Sequence, residues 1–233
     1  MADLGCTVVV GGTAGVGLAV ATAVAAQGDE VVICGRSRTR AEQTAQRIGP
    51  RVRGLAVDLA EPARIAAALS GICQVRNLVL TAIERDRNTI AAYDIEAATR
   101  LTTLKLVGYT EVVHALAPKI VSDGAVVMVG GLAMARPYPG STTVSTVNGA
   151  ISALVRTLAV ELAPIRANAI HPSLIGDSPY WTPNADLLEA VRARVPTHRL
   201  VTTDDVVHAV LFLLANRSMN GTNLLIDGGE LLG

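Results

Sequence analysis

Three glycines near the start of the chain have the spacing of a phosphate-binding turn. Gly11, Gly15 and Gly17 lie in VVVGGTAGVG, with Val16 between the last two, after a predicted strand and at the start of a predicted helix. Glycine lets the backbone turn sharply and approach a pyrophosphate. The free N–H groups and the dipole of a helix N-terminus attract the negative charge of that group. The pattern therefore predicts a dinucleotide-binding turn.

A cation stands where the second predicted strand ends. The sequence there is VVICGRS, so that Gly35 occupies the position of a ribose-binding acid and Arg36 and Ser37 follow it. An acid at this place binds the adenosine ribose diol, whereas a cation favours a 2′-phosphate. The segment predicts NADP(H) rather than NAD(H), with Arg36 and Ser37 in contact with the cofactor. The alternative is that Arg36 is an ordinary surface arginine near a helix start.

The elements that must position these groups alternate along the chain. Short β-branched runs predict strands at residues 7–10, 31–34, 52–57, 78–81, 125–129, 167–170 and 224–226. Helices are expected at about residues 15–27, 38–48, 62–69, 95–116, 142–162 and 204–215. Continuous apolar strands between helices are typical of a parallel sheet covered on both faces. We predict an α/β, Rossmann-type, doubly wound sheet within a single domain of residues 1–233.

Composition narrows the partners. Acidic and basic residues balance at 20 each, which favours neither nucleic acid nor an anionic membrane. The cysteines Cys6, Cys34 and Cys73 lack metal-ligand spacing, so we expect no metal and a reducing cytoplasm. The uncharged stretch at residues 6–26 is long enough to span a bilayer, but its four glycines, Asp3 before it and the missing basic flank favour strand, turn and helix.

One long irregular segment, residues 173–199, interrupts the alternation. It contains three prolines, the only Trp and a short helical piece near residues 187–194. Insertions of this kind are usually lids or binding loops. The alternative is a surface excursion without function.

Further motifs make the chain resemble the short-chain dehydrogenase/reductase superfamily along essentially its whole length. They are the glycine turn, AVDLAEP, AVELAPIRANAIHPS and GTNLLIDGG. The resemblance implies a seven-stranded sheet, adenine contacts from Asp58, and further cofactor contacts from Leu59 and Ala82. It also implies a homodimer or homotetramer formed through the long helices that contain Lys105 and Asn148.

The chain departs from this family where catalysis is expected. The family uses an Asn, Ser, Tyr and Lys tetrad, and the matching positions here are Lys105, Gly131, Val144 and Asn148. In the family the Tyr transfers a proton, the Lys lowers its pKa, and the Ser orients the carbonyl. Val144 and Gly131 can do none of this, while Lys105 and Asn148 look like the family's Asn and Lys exchanged.

Lys105 and Asn148 are therefore the first catalytic candidates. We expect the Lys105 ammonium to reach into the site and Asn148 to hydrogen-bond a cofactor ribose or water. The alternative places Lys105 in solvent or at a subunit interface. Tyr138 is the preferred substitute acid, unless it is only a loop aromatic. Ile83, where the family has glycine, is expected to narrow the nucleotide groove.

Three functions remain open on these residues. The first is an NADP(H)-dependent oxidoreductase that acts on a small carbonyl or alcohol substrate with a non-standard proton donor. The second is a redox-silent isomerase, dehydratase or cyclase, and the third a non-catalytic binding or assembly subunit. The glycine turn, Arg36 and Asp58 favour the first function, because a protein that does not use the cofactor needs no residue that binds its 2′-phosphate.

Overall fold

Seven parallel strands form one sheet in this computed structural model, which describes residues 5–233. Their order across the sheet is β3-β2-β1-β4-β5-β6-β7. The strands are β1 (Cys6–Val10), β2 (Val31–Gly35), β3 (Val52–Ala56), β4 (Val75–Leu80), β5 (Ile120–Val129), β6 (Arg166–Pro172) and β7 (Asn223–Ile226). The predicted seven-stranded doubly wound α/β sheet is confirmed.

Helices cover both faces of this sheet. They are α1 (Gly15–Ala26), α2 (Arg38–Ile48), α3 (Ile65–Ala68), α4 (Ile95–Thr102), α5 (Tyr109–Leu116), α6 (Thr142–Glu161), α7 (Ala185–Arg194) and α8 (Thr203–Ala215). Apolar residues of α3, α5 and α6 pack on one face, and those of α1, α2 and α8 pack on the other. Every residue of β1 and of β6 is buried, as expected for strands covered on both sides.

The predicted helix at residues 95–116 is not a continuous α-helix. A π-helical segment, Thr103–Gly108, joins α4 to α5. Gly108 ends this segment against the loop after β3, where a side-chain Cβ would lie 2.3 Å from the Leu59 carbonyl oxygen. Wider turns of this type often mark functional sites, and this one contains Lys105. Apolar periodicity does not distinguish such a segment from an α-helix, which explains the difference.

Two strands begin earlier than the sequence predicts. β4 starts at Val75 and β5 at Ile120, whereas apolar runs indicated residues 78 and 125. The early parts pair through a register shift between Val75 and Asn77. Polar residues occupy them, and Asp123 of β5 forms ion pairs with Arg76 at 3.5 Å and with Arg217 at 3.4 Å. These ion pairs lie where β4 and β5 begin, and the polar residues there explain why apolar runs did not predict the first residues of the two strands.

Residues 6–26 form β1, the glycine turn and α1. Asp3, which contributed to that prediction, lies outside the described residues. Within the described part, α6 is the one helix long and apolar enough to cross a membrane. Its Ile151, Val155 and Leu158 pack in the core beneath the sheet, which accounts for its composition.

Candidate active site

A cavity of about 890 Å³ opens at the carboxyl edge of the sheet. The ends of β1, β2, β4, β5 and β6 all contribute to its lining. β1 lies between β2 and β4, so the strand order reverses here. Ligands of open α/β sheets bind at this switch point. Residues of the 173–199 segment, among them Leu174, Trp181 and Val191, line the opposite wall.

Each glycine of the turn meets a different steric demand. Gly11 has φ +89°, and a Cβ there would lie 2.7 Å from the Ala82 backbone nitrogen. A Cβ on Gly17 would lie 2.3 Å from the Gly11 carbonyl oxygen. Gly15 has φ +51° and no atom within 4 Å of its Cβ position. Gly11 and Gly17 thus allow the turn to pack closely, and Gly15 leaves open space beside the cavity.

The start of α1 offers free N–H donors to this space. Its N-cap is Ala14, which cannot accept a hydrogen bond through its side chain. Thr13, Val16 and the three glycines line the cavity around it. Such a helix start can bind a phosphate through backbone groups. Thr13 was not predicted as a site residue, although it lies inside the glycine motif.

Arg36 lies at the rim of the cavity and is held by an acid. Its side chain is 64% exposed and forms an ion pair with Glu84. Arg100 donates to the same carboxylate from Nε at 2.6 Å, and its Nη2 lies 3.9 Å from Asp58 Oδ2. The hydrogen bond from Arg100 is the main cause that lowers the pKa of Glu84. Two arginines therefore share one carboxylate at this end.

The other predicted nucleotide contacts divide into two groups. Asp58, Leu59 and Ala82 line the cavity, and Asp58 Oδ1 accepts a hydrogen bond from the Ala60 N–H at 2.9 Å. The Ser37 hydroxyl instead accepts the Arg40 N–H at 3.3 Å and caps α2. Ser37 is not among the lining residues, whereas Arg40 is.

Lys105 points into the protein and not into solvent. It is 1% exposed, lines the cavity, and donates to Val129 O at 2.6 Å, Tyr109 Oη at 2.9 Å and Ala82 O at 3.3 Å. Burial lowers the pKa of Lys105 to about 7, and the nearby charge of Arg85 adds to the effect. The alternative of an ammonium in solvent is excluded by this geometry.

Tyr109 is a partner of Lys105 that was not predicted from the sequence. It is fully buried, accepts a hydrogen bond from Lys105 and donates one to Ala82 O at 2.7 Å. Burial raises the pKa of Tyr109 well above its ordinary value of 10. Tyr109 is not a lining residue, so it positions Lys105. The four-residue spacing of Lys105 and Tyr109 was the signal available in the sequence.

Asn148 faces the same cavity from α6. Its side chain is 2% exposed, and its Oδ1 has no hydrogen-bond partner among the described residues. A Cβ on Gly131 would lie 2.9 Å from Asn148 Nδ2, so the absence of a side chain there makes room for this amide. Gly131 and Val144 also line the cavity. A buried acceptor without a partner is costly unless a ligand supplies a donor.

Tyr138 lies at the cavity wall in the loop before α6. It is 46% exposed, and partial burial raises the pKa of its phenol above the ordinary value. Ile83 also lines the cavity, and its side chain packs toward Leu101 and Val144.

His171 is buried at the end of β6 and has a structural environment. Its Nδ1 accepts the Gly131 N–H at 3.3 Å, and its Nε2 lies 2.9 Å from Asn223 Oδ1. Burial lowers the pKa of the imidazole below its ordinary value of 6.5. The ring fixes the loop after β5, which places Gly131 against Asn148.

Comparisons with known proteins agree with this architecture. A family model described as enoyl-(acyl carrier protein) reductase matches residues 11–230. L-xylulose reductase from Bos taurus is 30% identical over 235 residues, covering 96% of this chain and 95% of that protein. The chain therefore belongs to the short-chain dehydrogenase/reductase superfamily, a group of oxidoreductases.

Two solved structures show the same fold with a nucleotide bound. A 3-ketoacyl-(acyl-carrier-protein) reductase from Brucella melitensis, complexed with NADH, has a TM-score of 0.85 and 25% identity, with 97% of this chain and 98% of that chain covered. An NADPH-bound short chain oxidoreductase from Pseudomonas aeruginosa PAO1, described as containing an atypical catalytic center, has a TM-score of 0.87 and 25% identity, with 97% and 96% covered.

Proposed function

We propose that this protein is an NADP(H)-dependent oxidoreductase that acts on a small carbonyl or alcohol substrate and uses Lys105 to transfer the proton. One observation carries the proposal. One cavity joins the glycine turn and Arg36 to the buried Lys105 and to Asn148, whose Oδ1 has no hydrogen-bond partner among residues 5–233. Nucleotide binding alone needs only the first two of these features.

The lining residues fit a dinucleotide along its length. The uncapped start of α1 suits the pyrophosphate, and Asp58, Leu59 and Ala82 lie beside the expected path of the adenosine half. Asn148 Oδ1 offers an acceptor to a ribose hydroxyl. The two similar structures hold different nucleotides, so they do not decide between NADH and NADPH for this protein. The preference for NADPH is inferred from Arg36 and Arg40, whose positive charges favour a 2′-phosphate.

The nicotinamide supplies or accepts the hydride when the cofactor is bound. Lys105 supplies the proton to the oxygen of the carbonyl group during reduction and takes it back during alcohol oxidation. Its bond to Ala82 O, at 3.3 Å, is its longest and the one most easily exchanged for a substrate oxygen. Tyr109 still donates to Ala82 O when that bond is lost, so the carbonyl remains paired.

Several expectations are part of the same proposal. Tyr138 is the alternative proton donor, because it lines the cavity from a half-exposed loop. We also propose a homodimer or homotetramer formed through the helices around Lys105 and Asn148, and a reducing, cytoplasmic environment. The partner molecule is a small substrate.

The first test is a calorimetric titration with NADPH and, separately, NADH. We expect NADPH to bind more tightly, and Arg36→Ala to weaken NADPH binding by about 10-fold to 100-fold while NADH binding stays unchanged. Arg38→Ala is the matched control, because Arg38 pairs with Glu42 and does not line the cavity. Absence of binding by either nucleotide would reject the oxidoreductase and leave a redox-silent or non-catalytic role.

A further inference from the structure

The half of the cavity beyond the nucleotide turn carries an excess of positive charge. Its charged lining residues are four cations and one acid: Lys105, Arg85, Arg136, Arg194 and Glu230. Glu230 is buried and already paired, since it accepts from Arg194 Nη2 at 2.6 Å and lies 3.5 Å from Arg136 Nε. Ser173 also donates to it. No carboxylate in this lining is left for Lys105 or Arg85.

Arg85 has no acidic partner in the described part of the chain. Its guanidinium carbon lies 4.5 Å from the centre of the Tyr180 ring and 5.4 Å from that of Trp181. The guanidinium forms no hydrogen bond or ion pair with another described residue. Asp86 follows it in the chain, but that carboxylate accepts from Asn88 Nδ2 at 2.7 Å and does not pair with Arg85.

The aromatic contacts orient Arg85 without using its donors. Tyr180 and Trp181 pack edge to face with ring centroids 4.6 Å apart, and they belong to the segment that covers the cavity. A guanidinium stacked on aromatic faces keeps its N–H groups free in its own plane, where they match the two oxygens of a carboxylate or phosphate. Because Arg85 also perturbs Lys105, the two cations lie within electrostatic reach of each other.

We propose that Arg85 is an anion-binding residue for the substrate, and that the substrates are carbonyl compounds, or the matching alcohols, that carry a carboxylate or phosphate group. This inference rests on the proposed oxidoreductase function and names its substrate class. Arg85 binds the anionic group at the part of the cavity wall that contains Trp181, while Tyr180 packs against Arg85 from behind that wall. The reacting oxygen then faces Lys105 deeper in the same cavity.

The test uses matched pairs of neutral and anionic probes. One series consists of straight-chain oxo acids, with the carbonyl two to five carbons from the carboxylate, and their methyl esters. A second pair is hydroxyacetone phosphate and hydroxyacetone, which distinguishes phosphate from carboxylate. We expect kcat/KM with NADPH to favour the anionic member of a pair by about 10-fold to 100-fold, and Arg85→Gln to remove the preference by lowering kcat/KM far more for the anionic member than for the neutral one. Arg87→Gln is the control, because Arg87 is exposed and does not line the cavity.

Calorimetric binding of the same probes, with and without NADPH, separates this inference from the proposed function. Tighter binding of an anionic probe by wild type and Arg87→Gln, lost in Arg85→Gln, supports the anion site even if no probe is reduced. Equal binding of anionic and neutral probes by wild type overturns the inference, as does an Arg85→Gln variant that keeps the preference. Equal losses of affinity for the anionic and the neutral member of a pair would also overturn it, because Arg85 would then only hold the segment that contains Tyr180 and Trp181 in place. Absence of binding by every probe at millimolar concentration has the same consequence.

Discussion

The two halves of the cavity are built by different means. In the nucleotide half, backbone sterics decide the shape, since Gly11 and Gly17 leave no room for a Cβ. The charges there are shared, with Glu84 between Arg36 and Arg100. In the substrate half, side chains decide. Lys105 is buried with a lowered pKa, and Asn148 Oδ1 lacks a partner within the described residues.

This difference separates a binding scaffold from a reactive site. Backbone N–H groups at a glycine turn can bind a nucleotide, and they need no side chain with a shifted pKa. Unpaired acceptors and a lysine whose pKa is near neutrality are costly for the fold and are typical of groups that react. We therefore expect changes in the nucleotide half to alter cofactor affinity, and changes in the substrate half to alter turnover and its pH dependence.

The largest expected effect on the nucleotide half is that of Gly17→Ala. The added Cβ would lie 2.3 Å from Gly11 O and 2.4 Å from Thr81 Oγ1, so the turn and α1 must separate. We expect a loss of stability of about 3 kcal/mol and a fall in NADPH affinity of about 100-fold, measured by denaturant unfolding and calorimetry. Gly149→Ala is the control, since Gly149 lies in α6 with no atom within 4 Å of its Cβ position. If both variants behave like wild type, close backbone packing does not define this half.

Lys105→Met tests the other half. Loss of a general acid typically slows a reaction by about 10²-fold to 10⁴-fold, and we expect a fall in kcat of that size. NADPH binding should change only a few fold, because the nucleotide turn is untouched. The matched control is Lys119→Met, which removes the only other lysine of the sequence. Lys119 donates to Leu69 O and Ser70 O and does not line the cavity. Activity of Lys105→Met within threefold of wild type would make Lys105 a structural residue.

The pH profile of the wild type is the next test. Since Lys105 has a pKa of about 7, the rate of carbonyl reduction should fall by about tenfold per pH unit above that value. The rate of alcohol oxidation should instead increase as the pH is raised up to that value, because Lys105 must then be deprotonated. The titratable groups around it do not interfere, because burial holds the pKa of Tyr109 well above 10 and that of His171 below 6.5. A profile that is flat from pH 6 to 9 and changed by Tyr138→Phe would assign the proton to Tyr138.

The same shift predicts how stability depends on pH. The unfolded chain holds the Lys105 proton more tightly, so between about pH 7 and 10.5 it binds more protons than the folded chain. The contribution of Lys105 to the free energy of unfolding therefore rises with pH across this window. Lys105→Met should remove that rise.

These two halves also differ in how far the sequence predicted them. The doubly wound parallel sheet was predicted from apolar runs, and the glycine turn from glycines at a strand-to-helix junction. Both are local signals. The π-helical turn at Lys105 and the bonds from Lys105 to Ala82 O and Val129 O arise where two neighbouring strands end beside the helix, and no local pattern encodes that meeting. Arg85 was missed for the same reason, because Tyr180 and Trp181 reach it from 95 residues further along the chain.

Glu84→Gln has the smallest expected effect and tests whether shared charge limits cofactor binding. The Glu84 carboxylate competes with a 2′-phosphate for Arg36, and a partly exposed ion pair is worth up to about 1 kcal/mol. The neutral amide should therefore tighten NADPH binding by about twofold to fivefold and leave NADH binding unchanged. Glu42→Gln is the control, because Glu42 pairs with Arg38 at 3.8 Å outside the cavity. Weaker NADPH binding by Glu84→Gln would mean that Glu84 holds Arg36 in place for the phosphate, and that this half is preorganised by its ion pairs as well as by its glycines.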